Sequence, residues 1–564
     1  MKFSIFLLLA GILLLATVMY TIFRPANPTY ITSIYFGYPW YFWISLYGLY
    51  CIGLLLASFS KITEDRISGV SFMVISNCLT LLIPVFLGYF LTDNIDSATT
   101  LGYVISFQTN GHVIPQDFYP GYHILIYSIS KILGVAPNEV MQISLVLFYA
   151  FYLMGVYLLS RAIFGNNRSE LLALILASPL LYPEITVSVP RTYMFEVLPV
   201  ILLAIVNTAK FQRSADFVAL LALLAMSIIS HPLNGGIMIL VLMFIVFVFL
   251  HRDLKLRIKP FLSSWRGKII ISFSMLWLAW TLGFPLLYKN SILELLGSFG
   301  YSYISYGFGL ITKSNLPFSF VLELLAKLYL PDVVYVILGI VISSYVLLKL
   351  TKHVNMKRNV LMVSMILIIS GAELVIFELV PFGLELWRFI PYVLLPSLLL
   401  MSYFGLKANK LTLGLIVILV VVSQGLGMAR IYESPWTNSV NLSLSNSLVA
   451  SVSWFSRYEV TYMQAAGIQF DVTSAVVAVR GPSFDIGNLL PASDIPNGLN
   501  YSSLTQKDLY LLAPFYSQDF YQTMYPSFPE HWIYTPAQFK SLESNANVLY
   551  ESSGMSLLLV NQVA

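Results

Sequence analysis

Residues Val70–Asp96 read VSFMVISNCLTLLIPVFLGYFLTDNID, a long apolar segment followed at once by two acidic residues. The apolar part, about 22 residues, is long enough to cross a bilayer as a helix. The acidic part, Thr92-Asp93-Asn94-Ile95-Asp96, lies where this helix leaves the hydrocarbon. Charged side chains near the hydrocarbon are expensive and tend to have a function. The stretch therefore predicts a membrane protein with chemistry at one membrane surface.

The rest of the chain has the composition of a polytopic membrane protein. Of its 564 residues, 58% are hydrophobic and 10% are charged, and the mean hydropathy is +0.79. Soluble proteins carry about 25% charged residues. The two cysteines lie in apolar segments, so the chain does not depend on disulfides. The sequence has no P-loop, dinucleotide fingerprint, zinc-spaced cluster or nucleic-acid signature, which argues against those classes of protein.

Hydropathy predicts about thirteen membrane spans at roughly 20 residues per crossing. They lie at about 3–23, 39–58, 69–91, 141–160, 169–183, 194–209, 215–230, 234–250, 268–288, 333–350, 359–380, 386–404 and 411–429. Lysine and arginine favour alternate loops by about 19 to about 7. Because basic residues favour the cytoplasmic side, the bias places the N-terminus inside and the C-terminal segment outside.

The outer loop that begins with the acidic stretch is predicted to contain two surface helices. A helix over 97–110 is capped by Asp96. A second helix, between Pro120 and Gly134, places His123 on a polar face and apolar residues largely on the other. That pattern is typical of an amphipathic helix at the membrane interface. A separate interfacial or re-entrant helix is predicted over 317–330.

Three other segments at the same surface carry candidate residues. The second outer turn contains Glu184 and Arg191, which are either functional or a solvated ion pair. His231 lies in a tight turn, where a lone histidine more often has a structural role. Arg388 opens a membrane helix, where a guanidinium either binds an anion or reaches the lipid headgroups.

Asp93-Asn-Ile-Asp96 at the start of a long outer loop, followed by Tyr119-Pro-Gly-Tyr-His123, resembles the GT-C superfamily. Its members are membrane glycosyltransferases that use polyprenyl-phosphate sugar donors, such as protein mannosyltransferases, aminoarabinose transferases and oligosaccharyltransferases. From the third span onward, the order of spans and loop is similar to the seven-helix module of the family. Two additional helices precede that module in this chain, and the motif resemblance is confined to the outer loop.

The resemblance implies a mainly α polytopic protein of about thirteen transmembrane helices with GT-C-like architecture. A small C-terminal extracytoplasmic α/β domain follows, since helical and strand-like stretches alternate in the less hydrophobic tail. The predicted parts are extra N-terminal helices at 1–68, a seven-helix catalytic module at 69–290 with its outer loop at 92–140, an outer loop with variable helices at 291–430, and the α/β domain at 431–564.

For individual residues, the resemblance implies that Asp93 is the catalytic base, which takes a proton from the acceptor hydroxyl as it attacks the anomeric carbon. Asp96 would assist, bind the acceptor or hold a metal ion. The alternative is that both acids only cap the following helix. Arg388 would bind the donor phosphate. The remaining predicted substrate-binding residues are Glu184, Arg191, His123 and His231.

The resemblance implies no cofactor. A divalent cation, Mg²⁺ or Mn²⁺, is the alternative, with Asp93, Asp96 and Glu184 as its ligands. The expected partners are a dolichol- or undecaprenyl-type sugar donor, a glycan, lipid or protein acceptor, and membrane lipids, with no nucleic acid. The chain is expected to be a multi-pass protein of the cell membrane, with a cytoplasmic N-terminus and an extracytoplasmic C-terminal domain.

Other functions fit parts of the pattern. Glu373 and Glu378, acids in or near a span, favour a transporter or flippase of a lipid-linked or anionic solute, although paired inverted repeats are not evident. An oligosaccharyltransferase-like enzyme is a further alternative, but the tail lacks a Trp-Trp-Asp motif, which favours transfer of a single sugar. A non-enzymatic scaffold would leave the acidic loop without a role.

Overall fold

The structure is a computed structural model of the chain. It describes residues 2–23, 31–92, 95–115, 117–211, 213–231, 235–236, 265–283, 316–351, 358–379, 390–405, 410–458, 464–467, 479, 489–490, 509–532, 534–552 and 555–560. Asp93, Arg388 and most of the predicted span at 234–250 lie outside these residues. The side chains of Glu184, Glu373 and Glu378 also lie outside the described set.

The apolar segments form helices, and the described residues contain 17 of them. Their bounds are α1 Lys2–Ile22, α2 Trp40–Phe59, α3 Thr63–Phe86, α4 Ile95–Asn110, α5 Pro120–Leu133, α6 Pro137–Phe164, α7 Asn167–Ala177, α8 Pro190–Phe211, α9 Ser214–Ser230, α10 Trp265–Leu282, α11 Phe318–Thr351, α12 Arg358–Leu379, α13 Ile390–Gly405, α14 Lys410–Arg430, α15 Asn446–Tyr458, α16 Phe515–Met524 and α17 Pro536–Asn545.

Seven of these helices are long and apolar enough to cross a membrane: α1, α2, α3, α6, α8, α11 and α14. Within the described residues, α9, α10, α12 and α13 contain shorter apolar stretches. Large apolar side chains are exposed on several spans, for example Leu13 of α1 at 68%, as expected where lipid replaces water as the surrounding solvent. The prediction of a mainly helical membrane protein is confirmed, and the count of thirteen spans stays a prediction.

Two predicted elements differ in extent. The predicted span at 169–183 is an 11-residue helix, α7, followed by a 3₁₀ turn over Pro183–Thr186. Eleven residues rise only about 17 Å, so α7 alone is too short to cross the hydrocarbon. The separate interfacial helix predicted over 317–330 is continuous with the following span in α11, which has 34 residues with Pro331 inside it.

A buried polar network connects the helices around α3. The Asn77 amide nitrogen donates to the Tyr149 hydroxyl at 2.8 Å and to the Ser178 carbonyl at 2.6 Å. The Gln424 amide nitrogen donates to the Asn77 side-chain oxygen at 2.6 Å. These bonds join α3 to α6, to the end of α7 and to α14. Buried polar groups require such partners, so the network specifies how these helices pack.

The strands form two sheets. A two-stranded antiparallel sheet pairs β1 Tyr89–Leu91 with β2 Leu444–Ser445. A five-stranded mixed sheet has the order β4-β3-β5-β7-β6, with parallel pairs on either side of β3 and antiparallel pairs on either side of β7. Its strands are β3 Gln464–Gly467, β4 Leu489–Leu490, β5 Leu509–Pro514, β6 Asn547–Glu551 and β7 Met555–Val560.

The tail and the helices after the acidic stretch share one hydrophobic core, which we call the loop–tail core. It contains Leu101 of α4, Tyr122 and Ile126 of α5, Leu448 of α15 and Leu557 of β7, all at most 2% exposed. The β1–β2 pairing and a hydrogen bond from the Asn446 amide to the Gly88 carbonyl, 2.7 Å long, add polar contacts beside it. The tail therefore packs directly on the loop that carries the candidate site.

The helix α5 is amphipathic, as the sequence predicts, and its polar face is the one that packs on the protein. His123 is 2% exposed and Ser130 is 7% exposed, whereas Ile132 and Leu133 are 81% and 64% exposed. Gly134, with φ +66°, ends the helix in the left-handed conformation. An exposed apolar face suits an interfacial helix, because such a face is more stable against hydrocarbon than against water.

Candidate functional site

One end of the helix bundle gathers the candidate residues that the structure describes. Helices α4, α5 and α8 begin at this end and α9 ends there. We call it the site end and define it by Asp96, His123, Arg191 and His231. Contacts among these residues and their neighbours connect the acidic stretch, the second turn and the His231 turn.

Asp96 and Arg191 form an ion pair, with 2.7 Å between Asp96 Oδ2 and Arg191 Nη1. The two side chains are 46% and 18% exposed. The sequence predicts Asp96 as the residue before this helix. In the structure α4 begins at Ile95, so Asp96 lies inside its first turn. A carboxylate there interacts favourably with the helix dipole. Because the pair is partly exposed it adds little stability, and its main effect is to join the start of α4 to the start of α8.

Tyr122 connects α5 to the segment before α8. Its hydroxyl lies 2.7 Å from Ser188 Oγ, and Ser188 Oγ donates to the Met141 carbonyl at 2.9 Å. Since the Ser188 proton is used in that second bond, Tyr122 is the donor in the first. Burial raises the pKa of Tyr122 to about 12, so the phenol keeps its proton at neutral pH.

Asp117 and His123 form a buried pair at the start of α5. The distance from Asp117 Oδ2 to His123 Nδ1 is 2.8 Å, and the side chains are 4% and 2% exposed. The other carboxylate oxygen, Oδ1, accepts a hydrogen bond from the Tyr119 backbone N–H at 3.0 Å. Asp117 therefore fixes both the imidazole ring and the chain that leads into the helix.

Each histidine of the site end is stacked on a tyrosine. The His123 ring lies on Tyr103 of α4, with centroids 5.2 Å apart and an interplanar angle of 13°. The His231 ring lies on Tyr119, at 5.0 Å and 5°. Gly121 allows this arrangement, because a Cβ at that position would lie 2.7 Å from Ser230 Oγ. The structure thus brings His123 and His231 into one assembly.

The turn that carries Glu184 is fixed by two later helices. Tyr182 has φ +67°, a conformation that costs a non-glycine residue of order 1–3 kcal/mol. Its backbone N–H donates to Asp332 Oδ1 at 3.0 Å. Asp332 Oδ2 lies 2.7 Å from Arg430 Nη1, and both side chains are at most 1% exposed. Arg430 Nη1 also donates to the Leu328 carbonyl.

Glu196 is a buried acid that the sequence analysis does not single out. It lies in α8, five positions after Arg191, and is 1% exposed. Neither of its carboxylate oxygens has a hydrogen-bond partner among the described residues. An unpaired acid within a membrane helix is unusual and tends to have a function.

The described residues do not complete a metal site. Over the ranges given above, no three His, Cys, Asp or Glu side chains are close enough to hold an ion. Asp96, one predicted ligand, is already paired with Arg191. The other two predicted ligands are Asp93 and the side chain of Glu184, which lie outside the described set. A metal ion therefore stays a prediction for which this geometry adds no support.

Sequence reasoning identifies Asp96, Arg191, His123 and His231, and the structure brings them to one end. Sequence reasoning does not identify Asp117, Asp332, Arg430 or Glu196. The Asp117–His123 contact has one usable signal, an acid three residues before the proline that begins the helix. The buried pair Asp332–Arg430 joins two helices distant in sequence, and periodicity carries no signal for such contacts.

No protein-family model and no curated protein sequence matches the chain. Similar solved structures include the Archaeoglobus fulgidus oligosaccharyltransferase in complex with zinc and sulfate, with a TM-score of 0.48, 12% identity, and coverage of 87% of this chain and 73% of that chain. The archaeal oligosaccharyltransferase AglB from the same organism, in complex with an inhibitory peptide and a dolichol-phosphate, is also similar. Its TM-score is 0.48 and its identity 14%, with coverage of 87% of this chain and 74% of that chain.

ArnT from Cupriavidus metallidurans bound to undecaprenyl phosphate is also similar, with a TM-score of 0.47, 12% identity, and coverage of 88% of this chain and 98% of that chain. Oligosaccharyltransferases are among the enzymes that the sequence resemblance names. At these TM-scores the likeness carries no functional assignment.

Proposed function

We propose that the chain is a membrane glycosyltransferase of the GT-C type. It transfers a single sugar from a polyprenyl-phosphate donor to a hydroxyl of a lipid-linked glycan, a polysaccharide or a protein. The site end faces the outer side of the cell membrane, as the distribution of lysine and arginine predicts. The motif resemblance around Asp93 and the contacts of the site end support the proposal.

The observation that carries the proposal is the Asp96–Arg191 ion pair of 2.7 Å. It joins the acidic stretch to the second turn, so that acids, a guanidinium and two histidines share one end of the bundle. Glycosyl transfer from a lipid phosphate requires a base for the acceptor, positive charge for the departing phosphate and donors or acceptors for sugar hydroxyls. The described residues of the site end supply a carboxylate, a guanidinium and two imidazoles, and we assign the base and the phosphate ligand to Asp93 and Arg388 from the sequence resemblance.

In the proposed reaction, the acceptor oxygen attacks the anomeric carbon and the bond from that carbon to the phosphate oxygen breaks. The lipid phosphate leaves with the electron pair, and the acceptor proton passes to the Asp93 carboxylate. Arg388 binds the phosphate as its negative charge develops. Asp96 orients Arg191 through the ion pair, and we assign Glu184, in the turn after Tyr182, to substrate binding as the sequence predicts.

The proposal predicts a defined product defect in cells. Deletion of the gene should cause a lipid-linked sugar to accumulate, as seen by mass spectrometry of extracted lipids. Asp93→Asn should reproduce the accumulation, since loss of a general base costs about 10²–10⁴-fold in rate. Glu139→Gln, which removes an exposed carboxylate in the first turn of α6, is the matched control and should restore the wild-type profile. Normal glycans in the deletion strain would refute the function.

A transporter is the second candidate, and the buried Glu196 is the observation that favours it. Purified protein in lipid vesicles distinguishes the two functions. A glycosyltransferase converts the accumulated lipid-linked sugar to a new glycoside and free polyprenyl phosphate, whereas a flippase moves the intact lipid across the bilayer. Product detected by mass spectrometry supports the first, and movement without a change in mass supports the second.

A further inference from the structure

We propose that the Asp117–His123 pair is a hydroxyl-binding site, in which Nε2 of His123 accepts a hydrogen bond from a hydroxyl of the reacting carbohydrate. The inference rests on the proposed function for the identity of the ligand. His123 is then a positioning residue for the substrate, and Asp117 acts through His123.

The position of the proton follows from the chemistry of the pair. An ionised carboxylate only accepts hydrogen bonds. Because Asp117 Oδ2 lies 2.8 Å from His123 Nδ1, that nitrogen carries the proton. In the neutral ring, Nε2 is then left with its lone pair as an acceptor. The other carboxylate oxygen, Oδ1, accepts the Tyr119 N–H, which leaves Oδ2 to accept from the ring.

The Nε2 atom has no hydrogen-bond partner among the residues that the structure describes. His123 as a whole is only 2% exposed, but Nε2 is not among the described side-chain atoms that are both buried and unpaired, so this nitrogen keeps some accessible surface. An accessible acceptor held by a buried ring can take a hydrogen bond from a bound ligand. A sugar hydroxyl is a suitable donor to a neutral imidazole nitrogen.

The imidazole ring is held on two sides, which suits a preformed binding site. The Tyr103 ring covers one face of the imidazole, with an interplanar angle of 13°. The Tyr122 ring meets the imidazole edge-on, with a centroid distance of 6.3 Å. The Tyr122 hydroxyl is itself anchored by Ser188, three residues before Arg191. A change in the ring's position would therefore disturb the packing of α4 and α8. Such a fixed acceptor loses little entropy when a ligand binds.

The Asp117–His123 pair is also connected to the His231 turn. Asp117 holds Tyr119 through the backbone bond, and Tyr119 stacks on His231 at the end of α9. A ligand bound at Nε2 would thus contact the assembly that joins the outer loop to the His231 turn. The Asp96–Arg191 pair lies at the same end, where the proposed transfer takes place.

Nitrogen NMR of the six histidines tests the tautomer without a substrate. In ¹⁵N-histidine-labelled protein in lipid, the His123 signal, identified by its loss in His123→Asn, should show a protonated Nδ1 and a bare Nε2. His112, whose Nδ1 lies 3.0 Å from the Asn110 carbonyl, should give a similar signal that stays in His123→Asn. Asp117→Asn should move the proton to Nε2, since the amide NH₂ can donate to Nδ1. Asp65→Asn, another buried aspartate bonded to Ser60 Oγ, should leave the signal unchanged. A protonated Nε2 in the wild type would overturn the inference.

A second arm measures transfer in cells that carry the same variants. In His123→Asn the amide nitrogen replaces Nδ1 as donor to Asp117, so the fold is kept while the acceptor at Nε2 is lost. In His123→Gln the amide oxygen lies near the position of Nε2 and should restore part of the transfer. We expect about tenfold more accumulated lipid-linked sugar in His123→Asn than in His123→Gln, the effect of one hydrogen bond.

The outcomes separate the two proposals. If the gene deletion causes no accumulation, the proposed function fails whatever the NMR result. If the deletion causes accumulation but His123→Asn transfers sugar as well as the wild type, only the hydroxyl-binding site fails. Equal loss in His123→Asn and His123→Gln, with folded protein in both, would also overturn it, because an acceptor at the ε position would then have no effect.

Discussion

Asp117 shows what a single residue contributes that a motif does not reveal. One carboxylate fixes the His123 ring and the backbone of Tyr119, and Tyr119 in turn stacks on His231. Both histidines are predicted from the sequence as site residues, but their common support is not. Asp117 precedes the helix that carries His123, so no helical periodicity connects the two residues. The connection depends on how the chain turns before Pro120.

The Asp332–Arg430 pair predicts a large effect of single substitutions. Arg430→Met leaves Asp332 buried without its cation, and we expect a loss of about 3–5 kcal/mol in the free energy of unfolding. The double variant Asp332→Leu/Arg430→Met should lose less than either single variant, since no unpaired charge remains. Thermal unfolding in detergent measures both. Additive losses in the double variant would contradict the assignment of a coupled pair.

For the Asp96–Arg191 pair we expect a small effect on stability and a larger effect on sugar transfer. Arg191→Gln should change the free energy of unfolding by less than about 1 kcal/mol, because the pair is partly exposed. Sugar transfer should fall more strongly, since the guanidinium lies beside the proposed reaction. The double variant with Asp96→Asn, compared with both single variants in the unfolding and the lipid accumulation assays, isolates the coupling. A large stability loss with unchanged transfer would assign the pair a structural role.

At the scale of elements, α5 holds the site end together through close packing. Gly121 lets its first turn approach the end of α9, with a virtual Cβ only 3.0 Å from the Ser230 nitrogen. We expect Gly121→Ala to cost about 1–3 kcal/mol and to separate Tyr119 from His231. Gly371→Ala in α12 is the matched control, since among the described residues no atom outside its own turn of helix lies within 4 Å of its virtual Cβ.

Unfolding temperatures and sugar transfer test this contrast between the glycines. Gly371→Ala should be neutral or stabilising by up to about 1 kcal/mol, because alanine has the higher helix propensity. Gly121→Ala should lower both the unfolding temperature and transfer. Equal behaviour of the two variants would mean that the approach of α5 to α9 has no influence on the site.

The elements also mark where sequence reasoning succeeds and fails. The bounds of α5 follow from Pro120 and Gly134, which are local signals, and the helices from long apolar runs. The end of α7 also has a local signal, Pro179 two residues after Ala177, which the span predicted over 169–183 runs through because the flanking residues are apolar. The chain then reaches Tyr182 with its positive φ, whose backbone N–H donates to the distant Asp332, a contact that local sequence does not predict.

At the scale of the whole molecule, hydropathy predicts that the chain is helical and embedded in a membrane. It does not predict how the C-terminal tail contacts the loop that contains α4 and α5. The loop–tail core combines α4 and α5 with strands more than 300 residues later, for example through the hydrogen bond between Asn446 and Gly88, 358 positions apart. Such contacts depend on shape and register, which composition does not encode. The tail is therefore part of the site's support.

Two leucines of the same sheet test this role of the tail. Leu557 of β7 is 1% exposed in the loop–tail core, and Leu549 of β6 is 44% exposed. Leu557→Ala should cost about 2–5 kcal/mol, and Leu549→Ala, the matched control, should cost little. Limited trypsin digestion at the exposed Lys131 of α5 should be faster only in Leu557→Ala. Equal digestion rates would show that the tail does not hold α5 in place.

The pairing of β1 with β2 has a consequence for biosynthesis. β1 leaves the ribosome early, whereas its partner strand Leu444–Ser445 follows only after the last membrane helix, α14, has been made. The loop with the proposed active site can thus reach its final shape only after residue 445 of 564 has been made. If the chain is the proposed transferase, we expect a chain truncated before Leu444 to insert its early helices in the bilayer but to transfer no sugar. The β1–β2 pair would then delay assembly of the site until the tail has been made.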